Sequence, residues 1–201
     1  MGSIKLPHAS GNSMSIAAPA TNPASDLELK LPATVGTAGE VVQNSTTAGT
    51  LEMGSPFRPA FSAYCSSDYD IASSTYVTAL FQTEHFDTDN AYNASTSIFT
   101  VPANMGGAYQ VNGAVSVDDI NDGTYMAIAL YVDGAAATGG YYQFVTATKA
   151  DEVATVNFSN VVKLTAGQTV CLKVRHNSTG TQSSENYCNY FSMFRLGGVA
   201  T

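Results

Sequence analysis

All twenty aromatic residues of the 201-residue chain stand at or after Phe57, and the first 55 residues contain none. This asymmetry constrains the fold more than any motif does. Phe and Tyr bring the largest buried areas to a core, so a stretch without them has little to offset its chain entropy. Pro7, Pro19, Pro23 and Pro32 also disfavour helix in the same stretch. Residues 1–55 are therefore expected to form an extended arm that becomes ordered on a partner, and residues 56–201 a folded domain. Met14-Ser15-Ile16 and Leu27-Glu28-Leu29-Lys30-Leu31 alternate with the period of a strand and suit edge pairing with a neighbour. Ile4, Leu6, Ile16, Leu27, Leu29 and Leu31 are the apolar residues with which such an arm would dock.

Beyond Phe57 the pattern becomes one of short alternating runs separated by turn chemistry. Strands are expected over 61–65, 76–81, 97–101, 108–117, 125–132, 141–148, 153–158, 169–175 and 187–196. Asn121-Asp122-Gly123, Asp133-Gly134, Gly139-Gly140, Ala166-Gly167 and Thr179-Gly180 fall between them, and Gly, Asn and Asp tolerate the positive φ that tight turns need. About nine strands in roughly 145 residues, with no long helical period, indicate an all-β sandwich or jelly roll.

Composition excludes several functions. The net charge is −8, and the eight basic residues are scattered, so there is no electrostatic footprint for a phosphate backbone and nucleic acid is not an expected partner. No apolar run approaches the roughly 18 residues of a membrane span, and the N-terminus lacks the basic-then-apolar pattern of a secretion signal. Membrane insertion is not expected, and the chain reads as soluble. Cys65, Cys171 and Cys188 form no CxxC pair and are expected to be small core hydrophobes. Cys65 and Cys188 fall in the first and last expected strands, where a bridge is conceivable without being predicted.

Phe86-Asp87-Thr88-Asp89-Asn90-Ala91-Tyr92-Asn93, then Ser97-Ile98-Phe99-Thr100-Val101-Pro102 and Gly107-Ala108-Tyr109, resemble the signature of C1q-like domains. Leu130 to Gly134, Leu164 to Val170 and Tyr190 to Leu196 continue the match in the right order. The sequence departs from the pattern at Ala103-Asn104-Met105-Gly106, which lengthens the Pro-Gly corner, and at Val111, where an aromatic is usual. The resemblance implies a C1q/TNF-like jelly roll assembled as a homotrimer, and eleven tyrosines suit interfaces that are half apolar and half wet. Phe99 and Tyr109 flank the corner and Phe191 and Phe194 anchor the last strand; all four are expected to be buried.

The arm carries a second resemblance. Ser3 to Ser13, Ile16 to Pro19, Asn22-Pro23-Ala24 and Leu29 to Pro32 look like the N-terminal segment of tail-fibre-type proteins of marine phages, and Gly36 to Val42 resembles a connector common in such fibres. This implies a structural virion appendage at the phage particle surface. Its arm would dock to other virion proteins, and its exposed knob would attach to a host-surface glycan or protein through tyrosine-lined surfaces of the outer loops. The alternative is a capsid or tail decoration protein that stabilises the virion without receptor binding, which the short chain favours.

Catalytic chemistry has little to work with. The only histidines are His8, His85 and His176, and no nucleophile motif, zinc motif or phosphate loop is present, so no catalytic residue or cofactor is expected. The acidic run Asp118-Asp119-Ile120-Asn121-Asp122-Gly123 makes Asp118, Asp119 and Asp122 candidate calcium ligands, although no glutamate closes an EF-hand loop. Solvated turns explain the same residues.

Overall fold

The computed structural model describes residues 3–7, 13–17, 28–45, 49–54, 59–139, 142–148 and 152–197. The chain divides into two compact units, Met1–Pro56 and Phe57–Thr201.

The first unit holds two hairpins. Strands β1 (Ser3–Pro7) and β2 (Ser13–Ala17) pair antiparallel, with Ile4 opposite Ile16 and Leu6 opposite Met14. Strands β3 (Val41–Asn44) and β4 (Leu51–Gly54) form the second pair. Of the alternating segments expected to pair with a neighbour, Met14-Ser15-Ile16 lies in β2 and pairs with β1 of the same chain. Among the described residues of the Leu27–Leu31 run, Lys30 makes an isolated bridge to Thr50 and Leu29 and Leu31 are exposed; Leu27 lies outside the described residues.

The second unit continues with β5 (Ala60–Tyr64), β6 (Asp70–Ile71), β7 (Val77–Thr78), β8 (Thr83–Asp87), β9 (Tyr92–Asn93) and β10 (Ile98–Thr100). Then come β11 (Gly107–Ile120), β12 (Tyr125–Val132), β13 (Ala135–Ala136), β14 (Tyr142–Thr146) and β15 (Glu152–Leu164). It closes with β16 (Thr169–His176), β17 (Gln182–Ser183) and β18 (Tyr190–Gly197). One sheet has the order β15-β11-β18-β5-β8. The other has the order β13-β12-β16-β10-β9, with β14 also on β12 and β7 also on β16. The first and last long strands of the unit, β5 and β18, lie side by side in one sheet.

Period-two alternation explains how these strands make a core. Tyr109, Val111, Val115 and Val117 of β11 point inward and meet Met126, Ile128 and Leu130 of β12 and Val170, Leu172 and Val174 of β16. Phe61 stacks on Tyr92 and Phe99 with ring centroids 4.4 and 5.1 Å apart, and Phe191 meets Phe61 edge-on at 4.9 Å. Two tyrosine hydroxyls of this core are paired with backbone carbonyls. The Tyr92 hydroxyl donates to the Phe81 carbonyl at 2.8 Å, and the Tyr109 hydroxyl donates to the Met105 carbonyl at 2.5 Å, which ties the β10–β11 corner to the core.

Phe99, Tyr109 and Phe191 are fully buried, but Phe194 is 39% exposed, contrary to the expectation for it. Residues 191 and 194 differ by an odd number and so face opposite sides of one strand. Met193, opposite Phe61, takes the inward place. The cysteines also divide: Cys65 and Cys171 are buried, Cys188 is exposed, and all three are free.

Candidate interaction surfaces

Three consecutive cross-strand rows make up the middle of the outward face of the β15-β11-β18-β5-β8 sheet, between the Ala108–Lys163 pair at one end and the Ser116–Thr155 pair at the other. In one, Ala60, Phe194, Gln110 and Val161 stand opposite one another. In the next, Phe86, Ser62, Ser192, Asn112 and Ser159 do so. The third holds Thr83, Tyr64, Tyr190, Ala114 and Asn157. None of these side chains is charged. Gln110 donates to Asn112 and Ser159, both at 3.1 Å, and Ser159 donates to Asn112 at 3.0 Å, so the polar members of the centre bond among themselves. Phe86, Val161, Tyr190 and Phe194 remain exposed beside them. An uncharged, part-aromatic sheet face of this breadth is the composition of an interface rather than of a solvated surface.

The opposite sheet presents a different outward face. Along β12 the sequence Tyr125-Met126-Ala127-Ile128-Ala129-Leu130-Tyr131 sends its large aliphatics inward and leaves Tyr, Ala, Ala, Tyr outward. The two alanines form a low floor. Register sets Phe144 and Arg175 on either side of Ala127, and Tyr142 and Lys173 on either side of Ala129. The result is a trough with one aromatic wall and one cationic wall, closed at its ends by Tyr125 and Tyr131. A cavity of about 490 Å³ opens on its aromatic side, lined by Tyr76, Tyr125, Ala127, Tyr142, Gln143, Phe144 and Thr146. The tyrosines were expected on the outer loops; β12 and β14 place Tyr125, Tyr131 and Tyr142 on a sheet face instead. The outward Tyr-Ala-Ala-Tyr alternation was the signal in the sequence, together with Lys173 and Arg175 two residues apart.

Burial raises the Tyr76 phenol above its ordinary pKa, with the neighbouring Tyr142 and Tyr131 adding to the effect and Arg175 opposing it. The Lys173 Nζ lies 4.3 Å from the Tyr131 ring centroid. The Arg175 guanidinium lies 5.8 Å from both Tyr76 and Tyr125.

The other candidates are not brought together. His8 lies outside the described residues. His85 stacks on Tyr64 at the edge of one sheet, whereas His176 is buried in the other with its Nε2 2.8 Å from the Ile71 carbonyl oxygen. Asp118 and Asp119 straddle a β-bulge where Asp119 takes φ 53°, and the Asp118 carboxylate accepts the Asp119 amide. Asp122 stands apart in the following turn, and among the described residues no group of three or more acidic, His or Cys side chains is placed to hold a metal ion. Asp118 and Asp119 thus belong to the bulged end of β11, and Asp122 to the turn that follows it. Instead of meeting Asp122, Asp118 faces Glu185, whose carboxyl is raised by burial and by this neighbour.

No family model matches the chain, and no curated protein matches it. Solved structures do match it. The globular domain of zebrafish complement 1qA protein superposes with a TM-score of 0.52 at 14% identity, covering 71% of this chain and 100% of its own. Eiger TNF from S. frugiperda gives 0.52 at 14%, covering 73% and 96%, and murine APRIL gives 0.50 at 14%, covering 69% and 98%. The fold is a C1q/TNF-like jelly roll.

Within this jelly roll the motifs that carried the sequence resemblance have physical roles. Asp87 accepts the Tyr92 and Asp89 amides at 2.7 and 3.1 Å and so shapes the turn between β8 and β9. Asp133, at φ 50°, accepts the Thr169 amide at 2.8 Å and the Gln168 side-chain amide at 2.9 Å. These bonds join the Val132-Asp133-Gly134 turn to the Ala166–Thr169 turn and hold the Asp133 carboxyl below its ordinary pKa.

Proposed function

We propose that the chain is a non-enzymatic structural protein whose jelly rolls associate as a homotrimer through the outward face of the β15-β11-β18-β5-β8 sheet. The observation that carries this is the absence of charge from three consecutive rows of that face while Phe194, Tyr190, Phe86 and Val161 stand exposed on it. Burying such a face against sister chains gains apolar area at little desolvation cost, because the central amide and hydroxyl groups already bond to one another. The jelly roll shared with complement 1qA and Eiger TNF domains supports self-association.

On this reading the first unit docks the trimer to a phage particle and the jelly rolls form its exposed knob. What supports the docking role is the tail-fibre resemblance of the arm together with its exposed Leu29, Leu31, Val35 and Val42. The aromatic trough, on the sheet opposite the self-association face, favours attachment to a host surface over decoration alone.

Light scattering on the intact protein tests the assembly. The expected mass is three times the 21.0 kDa of the chain. Phe194→Asp, which places a charge in the middle of the face, should yield a folded monomer; a wild-type mass equal to one chain would refute the trimer.

A further inference from the structure

We infer that the trough on β12, β14 and β16 is a binding site for an acidic saccharide, a sugar bearing a carboxylate. The inference deepens the attachment reading, on which it rests for its biological sense.

Charge is the first argument. The chain carries a net −8 and only eight basic residues, yet two of them, Lys173 and Arg175, stand side by side on one sheet face. The ion pair found among the described residues joins Lys30 to Glu28 in the first unit, and neither Lys173 nor Arg175 has a carboxylate partner there. The Arg175 Nε is buried with no hydrogen-bond partner. The side chain as a whole is only partly buried, so a carboxylate can offset its charge at the accessible part of the guanidinium. Both cations are held against tyrosine rings, so little side-chain freedom is lost when an anion arrives.

The aromatic wall narrows the class of anion. Tyr142 and Phe144 are 51% and 74% exposed, across the two-alanine floor from the cations. Their flat faces suit the apolar C–H face of a pyranose ring. The Tyr76, Tyr125, Tyr131 and Tyr142 phenols can exchange hydrogen bonds with ring hydroxyls, and the carboxylate would then reach Arg175 and Lys173. An extended peptide is less well served. Peptides that bind sheets pair with backbone groups at an edge, whereas the groups beneath this trough are used by the β14–β12–β16 ladders. The cavity of about 490 Å³ lies along the aromatic side, between Tyr76, Tyr125, Tyr142 and Phe144, and is within the range of small-ligand sites; Arg175 and Lys173 flank it across the alanine floor.

The test is calorimetric titration of the intact protein with trigalacturonate, with its fully methyl-esterified form, and with triglutamate. Saturable binding is expected for trigalacturonate, weakened about tenfold or more by methyl esterification and by each of Arg175→Gln, Lys173→Gln and Tyr142→Ala. Tyr142 is half exposed, so its truncation leaves the fold intact, and melting of each variant verifies this. The inference is overturned if trigalacturonate does not saturate below about 10 mM, if the ester binds as well as the acid, or if triglutamate binds as tightly as the sugar. Light scattering on the same samples separates the two readings: a trimer that ignores the sugar refutes only the site, and a sugar-binding monomer refutes only the assembly.

Discussion

The Cδ1 of Leu172 lies 2.2 Å from where a β-carbon on Gly113 would stand, and the Tyr190 carbonyl oxygen lies 3.2 Å from the same point. Gly113 occupies an inward position of β11, between Val111 and Val115, and Leu172 reaches it from the opposite sheet. The missing side chain is what lets the two sheets close here. Gly113→Ala should therefore destabilise the jelly roll by about 1 to 3 kcal/mol, the usual range for overpacking a core. Chemical denaturation checks this; a variant as stable as the parent would mean that Leu172 moves aside freely.

Phe191 and Phe194 lie three residues apart on β18 and should respond oppositely. Phe191 is fully buried against Phe61 and Phe81, so Phe191→Ala should cost about 3 to 5 kcal/mol. Phe194→Ala should leave the thermal unfolding of isolated monomer nearly unchanged and weaken association instead. Melting and sedimentation of the two variants side by side separate core from interface.

The contrast between these residues shows what the sequence could reveal. Strand positions were legible because β12, β16 and β11 alternate cleanly and end in Gly, Asn or Asp turns. The burial of Phe99, Tyr109 and Phe191 followed from the same signal. Aromatic content alone places Phe194 in the core, whereas period two forbids residues 191 and 194 from sharing a face. Strands β8 and β9 are not legible in the sequence because Glu84, His85 and Asn93 give little apolar alternation; Asp87 and the β5 edge hold them in place. The trough was partly written in the outward residues of β12. Its cationic wall depends on the β12–β16 register, and a register between strands some forty residues apart cannot be read from either strand alone.

The thiols should report the fold directly. Cys65 and Cys171 are buried, and burial pushes both thiols above their ordinary pKa, which lowers the reactive thiolate fraction. Cys188 is exposed. A disulfide reagent added to native protein should therefore consume one thiol per chain quickly and the other two only on unfolding. Three fast thiols would contradict the inward placement of Cys65 and Cys171.

Alkaline pH should unfold the jelly roll through its buried phenols. Burial pushes Tyr109 up to about 12, and the same cause raises Tyr69 and Tyr92. An ordinary tyrosine titrates near pH 10, so the unfolded chain releases these protons earlier than the native state does. Between those two values the native state binds more protons, and stability must fall as pH rises. The contribution is complete below about pH 10 and is lost on the way to 12 and beyond. The melting temperature of the intact protein should hold steady around pH 8 to 9 and then drop steeply. Tyr109→Phe cannot ionise and loses only its bond to the Met105 carbonyl. It should start from a lower melting temperature and decline less steeply above pH 10. A parallel decline in parent and variant would show that the Tyr109 phenol is no harder to ionise in the native protein than in the unfolded chain.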